Sequence, residues 1–372
     1  LVTVGGSEKV LEQILLCYPS ADLFSIVDFL PEDQRSIIMN KRVTTSFIQK
    51  LPFAKTKYRA YLPLMPLAIE QFDLSKYDLI ISSSHAVAKG VISGPNQLHI
   101  CYCHSPIRYA WDLQHQYLRE SNLTRGIKSW LARIILHKIR LWDLRTVNSV
   151  DYFIANSTFI AKRIFKLYRR EATVIYPPVA VECDDFSTLT ETLPEQDFYI
   201  TVSRMVPYKK IDIIVEAFIN SPKRNLIVIG DGPMYKYISQ QIKNANINNI
   251  KLLGYQSNSI ISAYLQRAKG FVFAAEEDFG IAPIEAMAHG VPVIAYGCGG
   301  ILDSVTSDGD KPTGVFFFKQ EYNNIIAALD YFEEHRDKYT ANNCKLNARK
   351  FANERFRREF TDFINSRVRA CK

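Results

Sequence analysis

Two acids and two cations carry the chemistry that this 372-residue chain offers most plainly. Glu277 and Glu285 stand eight positions apart in the stretch 276–285, Glu-Glu-Asp-Phe-Gly-Ile-Ala-Pro-Ile-Glu. The apolar run from Gly270 to Ala274 before it reads as a buried parallel strand, and residues 282–288 read as a helix closed by Gly290. Strand, polar loop and helix N-terminus make the edge at which an α/β sheet binds ligands, with free backbone N–H groups for an anion. Glu285 lies among Ile284, Ala286 and Ala288 and needs a polar partner; the hydroxyls of a sugar or a ribose would serve. Arg204 ends another apolar run, 199–203, and Lys209 follows five residues later. Such a pair either clamps a diphosphate, the arginine as a fork and the lysine as a point charge, or stays a solvated loop.

The front half offers a different set. Gly5-Gly6-Ser7 opens a helix from Glu8 to Cys17, so the turn is either a plain strand-to-helix connection or a place where backbone approaches a phosphate. Two apolar runs end in histidines: 78–81 leads to Ser82-Ser83-Ser84-His85, and 98–103 leads to His104-Ser105-Pro106-Ile107-Arg108-Tyr109-Ala110-Trp111-Asp112. Strand C-termini are where an α/β sheet presents ligands, which makes His104, and less strongly His85, candidates.

The elements that must hold these residues read as a repeated strand–helix rhythm. Strands are expected at residues 1–4, 23–29, 78–81, 98–103 and 152–155, then at 198–202, 225–229, 250–253, 270–274, 291–295 and 315–318. Residues 35–76 read as irregular, basic and aromatic, either a solvated loop and helix or a segment suited to an acceptor or membrane face. Residues 124–147 read as a long basic helix, with Trp130, Ile134, Leu141 and Trp142 on an apolar side. That side could pack on the protein's own sheet or lie on an anionic bilayer. Val174 to Pro178, followed by the acidic stretch 182–196, reads as a linker, and a final helix near 353–369 puts Phe356, Phe360 and Phe363 on one side.

Length allows two domains, and 47% apolar residues suffice for ordinary cores. No uncharged apolar run reaches the length of a membrane span, and no leader is visible, although the chain starts at Leu1 without a Met. Seven scattered cysteines without a CxxC pair point to reduced, buried thiols rather than zinc, with Cys101 and Cys103 on one strand face. Residues 1–180 hold 23 Lys and Arg against 14 Asp and Glu, whereas 181–372 hold 23 against 24. The basic front half points to an anionic partner: a membrane surface, a lipid diphosphate or nucleic acid. No nucleic-acid motif accompanies the charge, so no nucleic-acid partner is expected. Asp308-Gly309-Asp310 precedes Pro312 and reads as a turn, so no metal is expected there.

Taken together, Arg204…Lys209, Gly230-Asp231-Gly232-Pro233 and the Glu277/Glu285 pair around Phe279-Gly280 resemble the retaining nucleotide-sugar glycosyltransferases of family 4. The front-half stretches at Gly5-Gly6, Ser82–His85 and His104–Asp112 narrow the likeness to bacterial O-antigen and exopolysaccharide mannosyltransferases, the WbaZ-like group. The resemblance covers nearly the whole chain. It implies an α/β GT-B architecture of two facing Rossmann-like domains with parallel sheets. An acceptor-binding domain would span 1–178 and a nucleotide-sugar domain 179–351. Residues 352–372 would form a helix crossing back to the first domain. It also implies that the first strand, with four residues before Gly5, is truncated.

By the same resemblance, Glu285 would bind the ribose and Glu277 the transferred hexose. Phe279 and the backbone N–H groups of Gly280, Ile281 and Ala282 would lie on the sugar and distal phosphate. Arg204 and Lys209 would hold the diphosphate, aided by Gly5 and Gly6 across an interdomain cleft, and His104 would sit beside the anomeric centre. His85, Arg108, Tyr109 and Asp112 would face the acceptor. The implied donor is GDP-mannose, a substrate and not a cofactor, or else a UDP-hexose. The implied acceptor is a polyprenyl-diphosphate-linked oligosaccharide, reached from the cytoplasmic face of the inner membrane without a required metal. Asp278 stands where many members of the family carry Gly, which bears on sugar preference.

Overall fold

The structure is a computed structural model that describes residues 1–182 and 197–370. The acidic stretch expected as a linker lies, from residue 183 on, outside the described residues, as do Cys183 and Cys371. The chain forms two compact units: Leu1–Pro178 together with the chain from Phe356 onward, and Val179–Arg355.

In the first unit, strands β1 (Leu23–Ser25) and β2 (Val43–Thr45) form a two-stranded parallel sheet. Strands β3 (Leu79–Ser84), β4 (Leu98–Cys103), β5 (Tyr152–Ala155) and β6 (Ala172–Val174) form a four-stranded parallel sheet in that order. Its faces follow from the two-residue period of a strand. Leu98, Ile100 and Tyr102 point to one side, where they meet Val10 and Ile14 of helix α1 (Gly6–Cys17). Cys101 and Cys103 point to the other, among Phe153, Ile160 and Ile164. Helix α2 (Gly126–Arg145) supplies Leu136 and Ile139 to a separate core with Ile107, Ala110 and Leu118.

Four expectations change here. Residues 1–4 are not a strand; only Leu1 pairs in the manner of one, its N–H donating to Val27 O at 2.7 Å and its carbonyl accepting from Phe29 N at 2.8 Å. The strand expected over 23–29 ends at Ser25. Residues 35–76 are not irregular throughout, since they hold β2 and a series of short helical turns such as Tyr58–Leu64 and Met65–Glu70. Helix α2 packs by Ser129, Leu136, Ile139 and Asp143, while Trp130 and Leu141 of the expected packing side face outward. Strands β2 and β6 escaped the reading because three residues are too few to show a period.

In the second unit, strands β7 (Phe198–Val202), β8 (Asn225–Ile229), β9 (Ile250–Gly254), β10 (Gly270–Phe273), β11 (Val293–Tyr296) and β12 (Gly314–Phe317) form one sheet. All pairs are parallel and the spatial order is β12-β11-β10-β7-β8-β9. Read from β9, that is the doubly wound order 3-2-1-4-5-6, and it reverses between β7 and β10. Helix α3 (Ile281–Ala288) follows β10. Buried strands carry continuous apolar runs such as Leu226–Ile229, as a sheet covered on both faces requires.

Helix α4 (Asn353–Ala370) ends the described chain. Its Phe356, Phe360 and Ile364 are fully buried in the first unit's core with Tyr102, and Phe363 packs partly against them. Each buried phenylalanine contributes roughly 2–3 kcal/mol.

Candidate functional site

The reversal of strand order between β7 and β10 is where a doubly wound sheet opens a crevice at its carboxyl edge. Arg204 leaves β7 two residues after its end, and Glu277 leaves β10 four residues after its end. The sheet therefore places the two predicted clusters side by side. Lys209, closing a short helical turn Pro207–Lys209, forms an ion pair with the Glu277 carboxylate. Both side chains are about one-fifth exposed, so the pair is only partly screened by water. Arg204 is exposed, and among the described residues its guanidinium has no acid partner. Helix α3 begins at Gly280, whose backbone is left-handed at φ 90°, and no side chain caps it. Its first N–H groups, from Gly280, Ile281 and Ala282, are thus available to an anion beside two cations. Phe279 is buried and stacks edge-on against Phe351 at 5.5 Å, which seats the turn ahead of the helix. Glu285 is half-buried on the second turn.

Backbone contacts hold these loops. Met205 N donates to Asp231 O at 2.8 Å, and Met234 N donates to Met205 O at 3.0 Å, so the Gly230–Pro233 turn supports the segment carrying Arg204. A β-carbon on Gly230 would stand 1.9 Å from Ser203 O, and its φ of 135° excludes other residues as well. The acidic loop rests on the loop after β11. Glu277 bridges Gly299, and Gly300 N donates to Glu277 O at 2.8 Å. A β-carbon on Gly300 would lie 2.1 Å from Asp278 O. This Gly299-Gly300 support was missed in the sequence, where a second glycine pair after a strand was the available signal.

In the first unit, His104 directly follows β4 and His85 directly follows β3, and register pairs Ser84 with Cys103. The rings come within 6.4 Å. His104 Nε2 shares a hydrogen bond of 2.8 Å with Ser83 Oγ, and its backbone N donates to Ser84 O at 2.8 Å. Burial pushes the His104 imidazole down to about 3, so the ring is neutral near pH 7. A neutral ring held at Nε2 leaves Nδ1 to exchange a hydrogen bond with a ligand.

The loop 104–112 is pinned by residues distant in sequence. Trp111 Nε1 donates to Asp143 Oδ2 at 2.7 Å, and Arg140 Nη1 donates to Ala110 O at 2.7 Å, both from α2. Asp143 is itself fully buried and paired with Lys89 at 2.9 Å. Asp112, expected at an acceptor, is tied to Arg163 at 2.9 Å, and Arg163 also donates to Ser105 Oγ at 3.2 Å. Tyr109 is half-buried against Tyr117 at 5.9 Å, with its hydroxyl pKa raised by burial; Arg108 is half-buried. Gly5 departs from the phosphate-binding expectation. Its N–H is taken by Glu8 Oε2 at 3.0 Å, and its extended φ of −142° makes no special demand for glycine. Gly6 opens α1 beside it.

The family description "Glycosyl transferases group 1" matches residues 190–351, and "Glycosyltransferase Family 4" matches residues 4–182. The structure of Anabaena HepE in complex with UDP superposes with a TM-score of 0.70 at 19% identity, covering 98% of both chains. Sucrose-phosphate synthase from Thermosynechococcus elongatus superposes with a TM-score of 0.71 at 17% identity, over 97% of this chain and 92% of that one. The chain is a glycosyltransferase family 4-like protein with the GT-B fold.

Among curated relatives of this GT-B protein, an uncharacterized glycosyltransferase of Methanocaldococcus jannaschii is 32% identical over 44% of each chain. An alpha-1,3/1,6-mannosyltransferase of Kluyveromyces lactis is 22% identical, over 80% of this chain and 66% of its own length. The alignments thus span less than two thirds of these two relatives. Among the described residues, no helix of the GT-B protein is long and apolar enough to cross a membrane.

Proposed function

We propose that this protein transfers a hexose from a nucleotide-diphosphate sugar with retention of configuration, and that the hexose is mannose from GDP-mannose. The observation that carries this reading is the meeting of Arg204, Lys209, Glu277 and the open N-terminus of α3 at the point where strand order reverses. A diphosphate gains charge as it leaves, so Arg204, Lys209 and the helix dipole stabilise the departing group more than the bound donor. Each charged hydrogen bond contributes roughly 1.5–3 kcal/mol. Lys209 exchanges Glu277 for phosphate oxygen when donor binds, which frees the Glu277 carboxylate for the sugar hydroxyls. Glu285 takes the ribose.

The reaction runs through an oxocarbenium-like transition state on the face that the leaving group quits, and the leaving phosphate oxygen accepts the proton of the attacking hydroxyl. His104, neutral and held by Ser83, orients a sugar hydroxyl rather than supplying charge. The step needs no metal and no cofactor. The acceptor is a lipid-diphosphate-linked oligosaccharide of the kind used for O-antigen or other surface polysaccharide, met by Arg108, Tyr109 and the His85 side of the basic unit at the cytoplasmic face of the inner membrane. The mannosyltransferase relative supports the sugar. A UDP-hexose donor is the second reading, favoured by a structural neighbour solved with UDP.

The deciding experiment incubates the protein with GDP-mannose, UDP-glucose and UDP-galactose in turn, with a lipid-diphosphate glycan, and reads mass gain. A gain of one hexose from GDP-mannose is expected. Transfer from a UDP-sugar alone would move the assignment to the second reading, and no transfer from any donor would remove it.

A further inference from the structure

Helix α2 has two unlike sides. Its inner side buries Ser129, Leu136, Ile139 and Asp143. Its outer side recurs at three- and four-residue steps, through Ile127, Trp130, Leu131, Ile134, Leu141 and Leu144. Ile127 is 85% exposed, Trp130 66% and Leu141 59%. Leaving a tryptophan and several aliphatic side chains in water on one stripe costs free energy that a soluble surface ordinarily avoids.

The charges on this stripe have one sign. Arg133, Lys138 and Arg145 fall between the apolar residues, with His137 beside them. The helix contains one acid, Asp143, and it is turned inward and paired with Lys89. The neighbouring acid Glu70 is engaged by Trp142 Nε1 at 2.7 Å and by Arg145 at 2.5 Å. With five Arg and Lys in its twenty residues, the helix cannot cross a bilayer.

We propose that the outer stripe of α2 docks flat on an anionic lipid bilayer, with Ile127, Trp130, Leu131 and Leu141 entering the headgroup–acyl boundary and Arg133 and Lys138 pairing with lipid phosphates. Apolar side chains with tryptophan, flanked by cations and free of exposed acids, match the interface of a negatively charged membrane. A second copy of this chain would bring the same cations against one another, which disfavours a symmetric dimer through this face. The proposal rests on the reading above that the acceptor is borne by lipid, and names the surface that meets the membrane. The same helix supplies Asp143 and Arg140 to the loop 104–112, so docking brings that loop close to the lipid surface.

The test is flotation of the full chain with vesicles of phosphatidylcholine alone or with 30% phosphatidylglycerol. Three variants accompany it, Trp130→Ala with Leu141→Ala, Arg133→Gln with Lys138→Gln, and Trp130→Phe, each checked for an unchanged melting curve. Binding should be confined to the anionic vesicles and fall as salt rises. The cation variant should bind roughly fivefold more weakly per charge removed, and the apolar variant at least tenfold. A tryptophan blue shift on vesicle addition should vanish in Trp130→Phe. Equal binding to both vesicle types, binding untouched by the variants, or a dimer that the apolar variant dissolves without any vesicle binding would overturn the proposal. Transfer to a short-chain, water-soluble acceptor is measured in parallel. Its failure counts against the transferase reading alone, and vesicle binding counts for the surface alone.

Discussion

The loops at the carboxyl edge of the second unit and the loop 104–112 of the first are built in different ways. In the second unit, main chain holds main chain: Met205 against Asp231, Gly300 against Glu277, and glycines where no β-carbon fits. The functional side chains are left on the outside of that frame, with Arg204 exposed and Lys209 meeting Glu277 across the switch point. In the first unit, side chains hold main chain and one another. Asp143, Arg140 and Arg163 reach in from two helices to fix Trp111, Ala110 and Asp112, and His104 is neutral and set by Ser83. A frame made of backbone tolerates no added volume and draws on no side-chain charge to hold itself together. A frame made of buried polar side chains spends part of its charge on itself.

Substitutions can separate the two designs. Arg204→Ala and Glu277→Ala should each lower kcat for transfer on the order of a thousandfold with an unchanged fold, read by mass-detected product and circular dichroism. Near-normal rates in either would take that residue out of the site. Gly300→Ala should cost about 3 kcal/mol in urea unfolding, because its β-carbon collides with Asp278 O; wild-type stability would show that the acidic loop is not backed as described.

His104→Ala should lower kcat roughly a hundredfold, and the wild-type rate should show no inflection near pH 6.5. The sign follows from the depressed pKa. Folded His104 protonates only near about 3 and unfolded His104 near 6.5, so its contribution to stability is intact above pH 6.5 and is lost as pH falls below it. An inflection near 6.5 that disappears in His104→Ala would contradict the buried, neutral ring. Asp112→Asn should release only one tie of its loop and raise the acceptor KM by about threefold to tenfold with donor KM unchanged, measured by varying each substrate. Gly5→Ala should change the donor KM less than about twofold, since its backbone is extended and its N–H already has Glu8.

Much of the frame could be read along the chain. Buried parallel strands write themselves as continuous apolar runs, so β4, β5, β7 and β8 were placed to the residue, and the Phe356/Phe360 spacing announced the buried side of the last helix. The fold class was legible too, because the strand–helix rhythm and the glycine-bearing turns are local signals. The packing side of α2 was not. Trp130 and Leu141 look like core by type, and only the neighbours of Leu136, Ile139 and Asp143 show which side is filled.

The sequence by itself determined the longer buried strands, the turns and the residue types at their ends, because these depend on neighbours within a few positions. The tertiary structure alone decided that Lys209 meets Glu277 across 68 residues and that Asp143 governs Trp111. Those pairings arise from strand order and helix packing, which close distances that local periodicity does not encode.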